Sequence, residues 1–155
     1  MLTVLKNANV FAPEPVGRRD LLIAAGKILA IESDLDSLPA GIEHRVLDLD
    51  GLCVIPGLID SHIHATGGGG EAGPATRVPR ISLSHLTGAG VTSCVGVLGT
   101  DGTTRTIRDL VATTLGLRDQ GMSAWCYTGS YRYPPPTLTG SVRDDIVFIL
   151  SLIHI

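Results

Sequence analysis

The sequence predicts an α/β fold in which part of a small β domain precedes parallel β–α units. Two observations lead to this prediction. In the first 50 residues of the 155-residue chain, short apolar runs are separated by turn residues. After residue 52, continuous apolar runs alternate with segments of helical spacing, which is the pattern of parallel strands covered by helices.

The N-terminal part, residues 1–52, is predicted to be all β. Its predicted strands are Leu2–Val10, Asp20–Ala25, Lys27–Glu32 and His44–Leu49. Gly26 separates the middle two and predicts a hairpin, whereas Pro13, Pro15 and Gly17 predict a loop over residues 12–19. The apolar content is too small for an independent core, so we expect this sheet to pack against another part of the protein.

The second part, residues 53–149, is predicted to contain three strand–helix units. The predicted strands are Leu52–Ile59, Val91–Leu98 and Met122–Thr128. The predicted helices are Arg77–Ala89, Thr104–Gln120 and a third that Ser141 caps, with Asp144 three residues later. Three such units cannot close a barrel, and we expect unpaired edges on the first and third strands.

The last six residues, Leu150–Ile155, are nearly all apolar where an amphipathic helix should continue. They match the translation of a transposon end that is common in sequencing libraries. We expect this tail to be non-native and the chain to be a truncated piece. The alternative is a genuine apolar helix end.

Composition excludes several classes of function. Twelve Lys and Arg against fifteen Asp and Glu give a net charge of −3, without the basic block that nucleic acid or anionic lipid would need. No signal peptide and no membrane span are expected, because neither a signal-type N-terminus nor a run of 18 apolar residues occurs. The odd, widely spaced Cys53, Cys94 and Cys126 predict buried free thiols and a cytoplasmic protein. Trp125 is also expected in the core.

The most distinctive motif joins a buried apolar run to an Asp-Ser-His-Ile-His segment. Alternate strand residues share a face, so Asp60, His62 and His64 are expected to point the same way at the C-terminal end of a strand. Two imidazoles so placed can bind one divalent ion, with zinc the first expectation, and a nearby carboxylate can orient a ring. The alternative is two solvated histidines at a strand end.

A glycine-rich segment follows this strand. Gly68, Gly70 and Gly73 satisfy the G-x-G-x-x-G pattern of dinucleotide-binding folds, but Pro74 and Pro79 disturb the helix start that such a site needs. We therefore favour a loop rich in backbone donors beside the metal. Its carboxylate, Glu71, would project into the site and suit a cationic group of a substrate. The alternative is a solvated glutamate in a mobile loop.

Polar residues also follow the second and third predicted strands. Thr100 could hydrogen-bond a substrate, and Tyr131 could donate to a carbonyl oxygen that becomes anionic in the transition state. Either residue could instead be structural. Asp101 is expected to be a helix cap.

These motifs resemble the amidohydrolase superfamily at Pro56–His64. The longer runs DSHIHATGGGGEAGPATR, GAGVTSCVGVLGTD, SAWCYTGSY and TLTGSV are similar to isoaspartyl dipeptidases of that superfamily. The resemblance implies a partial (β/α)₈ TIM-type barrel preceded by part of a small β-sandwich. It also implies zinc-dependent hydrolysis of β-aspartyl dipeptides by a full-length parent, from which this chain would be a truncated and inactive fragment.

The resemblance further implies a role for each matching residue. His62 and His64 would bind the more buried of two zinc ions, and Glu71 would hold the α-ammonium group of a small dipeptide substrate. Gly69 and Thr100 would contact the substrate, and Tyr131 would polarise the scissile carbonyl. The family site would also need a carboxylated lysine bridge, two further histidines, a catalytic aspartate and substrate-binding arginines, which would lie beyond this chain. No lysine follows Lys27, so the bridge cannot come from the predicted barrel segment. The family suggests a homo-oligomer.

Two other interpretations stay open. The parent could be a cyclic-amide hydrolase of the dihydroorotase or hydantoinase kind, which shares the His-x-His strand. The chain could also be a non-catalytic fragment that binds metal weakly or not at all.

Overall fold

The computed structural model describes residues 1–35, 38 and 41–149, together with the backbone of residues 152–153. The chain forms two compact units, residues 1–56 and residues 57–155. Strands and helices alternate in the second unit, so the predicted mixed α/β class is confirmed. Most of the predicted non-native tail, including His154, lies outside the described residues.

The first unit is a five-stranded sheet. Its strands are β1 (Leu2–Phe11), β2 (Pro15–Ala24), β3 (Lys27–Glu32), β4 (His44–Asp48) and β5 (Cys53–Val54). The order is β3-β2-β1-β4, and β5 also pairs with β1. The first three strands are antiparallel neighbours, whereas β4 and β5 run parallel to β1. The hairpin predicted around Gly26 is present, with a positive φ of 71° at that residue.

The predicted loop over residues 12–19 is wrong for most of its length, because β2 begins at Pro15. Pro15 is the first residue of the strand, where a missing N–H group is tolerated. Gly17 pairs with Val10 next to a shift in register, and its φ of 85° fits an irregular strand position. Proline and glycine here mark an irregular strand end.

The single buried strand predicted over Leu52–Ile59 is divided in two. Cys53–Val54 pairs with β1 in the first unit, and β6 (Leu58–Ile63) begins the second. Pro56, which lacks an N–H group, closes the first unit, four residues after the predicted boundary. The prediction that both faces of this strand are buried is also wrong, since Ile59 on β6 is 74% exposed.

After β6, the elements of the second unit are a 3₁₀ turn (Pro74–Thr76), α1 (Leu83–Gly88), β7 (Val91–Gly96), α2 (Ile107–Asp119), β8 (Ser123–Tyr127), α3 (Val142–Phe148) and β9 (Leu152–Ile153). The strands form a parallel sheet with the order β6-β7-β8-β9. The prediction of an open edge on the third predicted strand, which is β8, is wrong, because β9 pairs with it. The edge expected on β6 is present among the described residues, where β7 is its one neighbour.

Both predicted long helices begin later than expected. Pro79 keeps the segment before α1 out of a helix, and the N–H of Val78 donates to the carbonyl of Gly68 instead. The N-cap of α2 is Thr106, so the prediction that Asp101 caps a helix is wrong. Asp101 accepts backbone hydrogen bonds within the turn before that helix. Ser141 caps α3 as predicted, with its Oγ accepting from the N–H of Asp144 at 3.2 Å.

The core of the second unit lies between the sheet and its helices. Cys94 and Cys126 are buried there as predicted, and burial raises the pKa of the Cys126 thiol to about 11. Two core predictions are wrong: Cys53 is exposed, and Trp125 is 37% exposed because it alternates with the buried Ala124 and Cys126 along β8. None of the described helices is long and apolar enough to span a membrane.

Candidate metal and substrate site

The two histidines of the His-x-His motif lie side by side at the end of β6. The ring centroids of His62 and His64 are 5.5 Å apart, with planes inclined at 77°. Both rings line one cavity, as expected for alternate residues on one side of a strand. Asp60 lies close to them, and its Oδ1 accepts a hydrogen bond from the backbone N–H of His62 at 3.0 Å. A bulge between Asp60 and Ile63 interrupts regular pairing with β7 at this point.

Gly99, which sequence reasoning missed, lies against the ring of His64. A Cβ atom at position 99 would lie 2.6 Å from both Cε1 and Nδ1 of that ring, and the φ of Gly99 is 68°. Only glycine fits this position without displacing the imidazole. Its place in the loop that follows β7, next to Thr100, is the signal that could have identified it.

The environment of His64 favours its neutral form. Desolvation by burial is the largest effect that lowers the pKa of His64. Electrostatic interactions with the His62 ring and with Arg105 lower this pKa further, whereas the interaction with Glu71 raises it. A neutral imidazole has a free nitrogen lone pair, which metal coordination requires. His64 therefore has the protonation state of a metal ligand at neutral pH.

The cavity beside the histidines has a volume of about 210 Å³. The ends of β7 and β8 form its other walls, and Tyr131 lies in its lining. The side chain of Tyr131 is 80% exposed, so little protein surrounds it in the described residues. The structure thus places Tyr131 in the lining of the same cavity as His62 and His64, the two predicted metal ligands.

Glu71 and Thr100 meet although 29 residues separate them in the sequence. The hydroxyl of Thr100 donates a hydrogen bond to Oε1 of Glu71. This bond, the N–H of Glu71 itself and the charges of His64 and Arg105 lower the pKa of the glutamate. An exposed carboxylate that stays ionised is suited to bind a cation.

The segment that presents Glu71, residues 66–78, is called the glycine loop here. Gly69 forms an antiparallel bridge with Arg77, and a Cβ on Gly69 would lie 2.5 Å from the carbonyl oxygen of Thr76. The loop closes on itself through this bridge, and its second half contains one 3₁₀ turn, Pro74–Thr76, but no α-helix. A dinucleotide site needs a helix at this point, so the geometry favours the metal-adjacent loop over the dinucleotide interpretation.

Arg105, a second residue that sequence reasoning missed, lies behind the glycine loop and is 4% exposed. Its guanidinium donates to the carbonyl oxygens of Thr66, Gly69 and Val78 at 3.0–3.3 Å. An arginine in a turn before a helix has no distinctive sequence pattern. The buried position of Arg105 could therefore be found only in the structure.

The donor set fits part of a metal site. Among the residues that the structure describes, no group of three or more His, Cys, Asp or Glu side chains is placed to hold a metal ion. Zinc sites in proteins use three or four protein ligands. His62 and His64 could therefore supply two of the ligands but not a complete site.

No protein-family model matches the chain. A β-aspartyl dipeptidase from Fervidobacterium islandicum AW-1 is 44% identical, with a TM-score of 0.93 over 99% of this chain and 41% of its own. The same dipeptidase in complex with the β-Asp-Leu dipeptide is also 44% identical, with a TM-score of 0.90 over 99% of this chain and 40% of its own. The dihydroorotase of Lactobacillus gasseri is 39% identical over 64 residues, which are 41% of this chain and 14% of that enzyme.

The chain therefore spans about two-fifths of the length of these dipeptidases and a smaller share of the dihydroorotase. The expected resemblance is confirmed: over nearly its whole length, the chain is similar to β-aspartyl dipeptidases, and its sequence relatives are enzymes of the amidohydrolase superfamily.

Proposed function

We propose that this chain is part of a longer protein, called the complete enzyme here, that hydrolyses β-aspartyl dipeptides with the help of zinc. The parallel sheet would be the first part of a (β/α)₈ barrel, and residues 1–52 would belong to a small β-sandwich. Residues 150–155 would be foreign to the complete enzyme. The remaining zinc ligands, including a carboxylated lysine, would come from segments that this chain lacks.

The observation that best supports this proposal is the position of Glu71. Its carboxylate is held by Thr100 and is close enough to His64 for their charges to interact. A β-aspartyl dipeptide has a free α-ammonium group near its scissile amide, so it needs an anionic group beside the catalytic centre. A solved relative at 44% identity binds β-Asp-Leu, which agrees with this requirement.

Each residue would have a distinct role in the reaction. His62 and His64 would hold a zinc ion, which when bound lowers the pKa of water and polarises a carbonyl group. Glu71 would accept hydrogen bonds from the α-ammonium, and Thr100 would fix the direction of that carboxylate. Gly69 would offer a backbone contact to the substrate, and the hydroxyl of Tyr131 would donate to the carbonyl oxygen as it becomes negatively charged.

The second candidate is hydrolysis of a cyclic amide. It is favoured by the dihydroorotase that is 39% identical over 64 residues. A cyclic amide such as dihydroorotate or hydantoin has no ammonium group, so this candidate leaves the carboxylate of Glu71 without a function.

The test is a substrate comparison with the purified complete enzyme, loaded with zinc. We expect turnover of β-Asp-Leu, with kcat/KM at least about 100-fold above that for dihydroorotate or hydantoin; each 1.4 kcal/mol of transition-state discrimination gives a factor of ten. The reverse preference would support the cyclic-amide candidate. No turnover of either class would contradict both enzymatic proposals.

A further inference from the structure

Arg105 occupies a position that is unusual for a charged residue. It is 4% exposed, and charged side chains are rarely buried so completely unless nearby groups satisfy them. It lies in the turn between β7 and α2, two residues before that helix begins. Its burial therefore calls for a specific set of partners.

Those partners are backbone carbonyls of the glycine loop. Nε donates to Thr66 at 3.2 Å, Nη1 donates to Gly69 at 3.3 Å, and Nη2 donates to Val78 at 3.0 Å. Thr66 and Gly69 precede Glu71 near the start of the loop, and Val78 is its last residue, so the guanidinium holds the loop on both sides of Glu71. A planar guanidinium with donors in fixed directions can bind all three at once, whereas a lysine ammonium on a flexible stem cannot hold them in the same way.

Arg105 also lies close to Asp101, in the turn that carries Thr100, the hydrogen-bond partner of Glu71. Nη1 of Arg105 lies 3.7 Å from Oδ2 of Asp101. The other carboxylate oxygen of Asp101, Oδ1, accepts hydrogen bonds from the backbone N–H groups of Thr103 and Thr104. Asp101 directly follows Thr100, whose hydroxyl binds Glu71. One guanidinium thus contacts both the loop that presents the carboxylate and the turn that orients it.

We propose that Arg105 is a positioning residue that holds Glu71 in the orientation needed to bind the substrate's α-ammonium group. The inference rests on the role proposed above for Glu71. Arg105 touches the backbone of the loop, while Glu71 receives the ammonium group. A substitution that weakens the hydrogen bonds between Arg105 and the loop should therefore impair the binding of substrates that have the ammonium group. Substrates that lack this group should bind as before.

The experiment compares Arg105→Lys and Arg105→Gln with Arg108→Lys in the complete enzyme. Arg108 lies three residues further along the chain and is exposed, which makes it the matched control. The substrates are β-Asp-Leu and N-succinyl-leucine, which has the same amide and carboxylates but no amine. For Arg105→Lys we expect KM for β-Asp-Leu to rise about tenfold, because the substrate binds less tightly. The kcat for β-Asp-Leu and the hydrolysis of N-succinyl-leucine should stay within about threefold of wild type.

Two further measurements separate positioning from a general loss of structure. Backbone amides of the glycine loop should exchange with solvent at least about tenfold faster in Arg105→Lys than in Arg108→Lys. In a Glu71→Gln background, Arg105→Lys should cause no additional rise in KM, because the group that it positions is already lost.

The outcomes distinguish this proposal from the one it rests on. If Glu71→Gln weakens β-Asp-Leu binding and Arg105→Lys does not, the role of Arg105 is wrong and that of Glu71 stands. If Glu71→Gln has no effect, both roles are wrong. An equal loss of kcat/KM on both substrates would also overturn the positioning role. If Arg105→Lys does not fold, Arg105→Gln, which buries no charge, is compared on the two substrates instead.

Discussion

At the scale of single residues, the proposed substrate site depends on one carboxylate, that of Glu71, which lies outside the core of the fold. Glu71 is exposed, so its orientation comes from the Thr100 hydroxyl and from the backbone of its own loop. The Thr100 bond lowers the pKa of Glu71, which keeps the group ionised at neutral pH. A negative charge in a fixed place can distinguish substrates with an ammonium group from substrates without one.

Replacing Glu71 with glutamine should therefore change specificity more than stability. In the complete enzyme we expect kcat/KM for β-Asp-Leu to fall roughly 10–100-fold, since a hydrogen bond to a charged group contributes about 1.5–3 kcal/mol. Hydrolysis of N-succinyl-leucine should change less than threefold. Steady-state kinetics on both substrates test this expectation, and an equal loss on the two would contradict the proposed role.

Gly99 provides a second prediction at this scale, because its lack of a side chain makes room for His64. In Gly99→Ala the new Cβ would lie 2.6 Å from the imidazole, so the ring must move. We expect zinc affinity of the complete enzyme to fall roughly 10–100-fold, as when groups that orient a ligand are altered. Competition with a chelator of known affinity measures this.

The matched control for Gly99→Ala is Gly90→Ala. Gly90 also has a positive φ, of 77°, but the nearest atom to its added Cβ is a leucine methyl at 3.9 Å. Both variants should lose about 1–2 kcal/mol of stability from backbone strain. Zinc affinity should fall in Gly99→Ala alone; a similar fall in both would show that strain, not ring displacement, is responsible.

At the scale of elements, α3 anchors the loop that follows β8. Asp145 of α3 is fully buried and accepts hydrogen bonds from the hydroxyl of Thr128 at 2.5 Å and from the backbone N–H groups of Leu138 and Thr139 at 2.9 and 2.8 Å. The Thr139 hydroxyl donates a further bond at 2.7 Å. The two ends of the loop that contains Tyr131 are thus tied to one carboxylate.

Replacing Asp145 with asparagine should loosen this loop. The amide nitrogen of asparagine cannot accept hydrogen bonds, so some of the four donors lose their partner, at about 1.5–3 kcal/mol for each bond to a charged group. We expect faster amide exchange at Leu138 and Thr139 and a lower free energy of unfolding. Asp144→Asn, on the same helix turn, is the control and should cost less than about 1 kcal/mol.

The same pair of variants gives a pH dependence. Burial alone would raise the pKa of Asp145, but the hydrogen bonds from Thr128, Thr139 and Leu138 prevail and hold it below its ordinary value of 3.8. A depressed pKa adds stability above the ordinary value, and this contribution is lost as the pH falls through the folded-state pKa. The stability difference between wild type and Asp145→Asn should be constant near neutral pH and shrink below about pH 4. Denaturant titrations at several pH values measure it, and a difference that grows on acidification would contradict this assignment.

The elements also show what the sequence could and could not predict. The His-x-His strand, the Ser141 cap and the hairpin at Gly26 depend on local patterns, and all three are present. The position of Arg105 and the contact between Gly99 and His64 depend on segments distant in sequence. The division of the run after residue 52 was missed because apolar composition does not show which sheet a strand joins, although Pro56 marked the break.

At the scale of the whole chain, apolar surface remains uncovered. In the second unit, large exposed apolar residues lie on β6, α2 and α3, including Leu58, Ile59, Leu115, Val147 and Phe148. The strand β6 also has one unpaired edge among the described residues. Exposed apolar patches and open strand edges promote association between chains. In the complete enzyme, further barrel strands and helices would cover these surfaces.

The 155-residue chain on its own is therefore expected to be inactive and poorly soluble. His62 and His64 would supply two ligands where zinc sites use three or four, and no group of three or more ligating side chains is present among the described residues, so zinc should bind weakly. The proposed lysine bridge and catalytic aspartate would be missing as well. Expression of this chain beside the complete enzyme, followed by a β-Asp-Leu assay with added zinc, tests the expectation. The complete enzyme should turn over the dipeptide, whereas the chain should be mostly in the insoluble fraction and its soluble part should show no turnover. Activity of a purified, soluble 155-residue chain would falsify this view, because it would mean that two histidines on a four-stranded sheet suffice for the reaction.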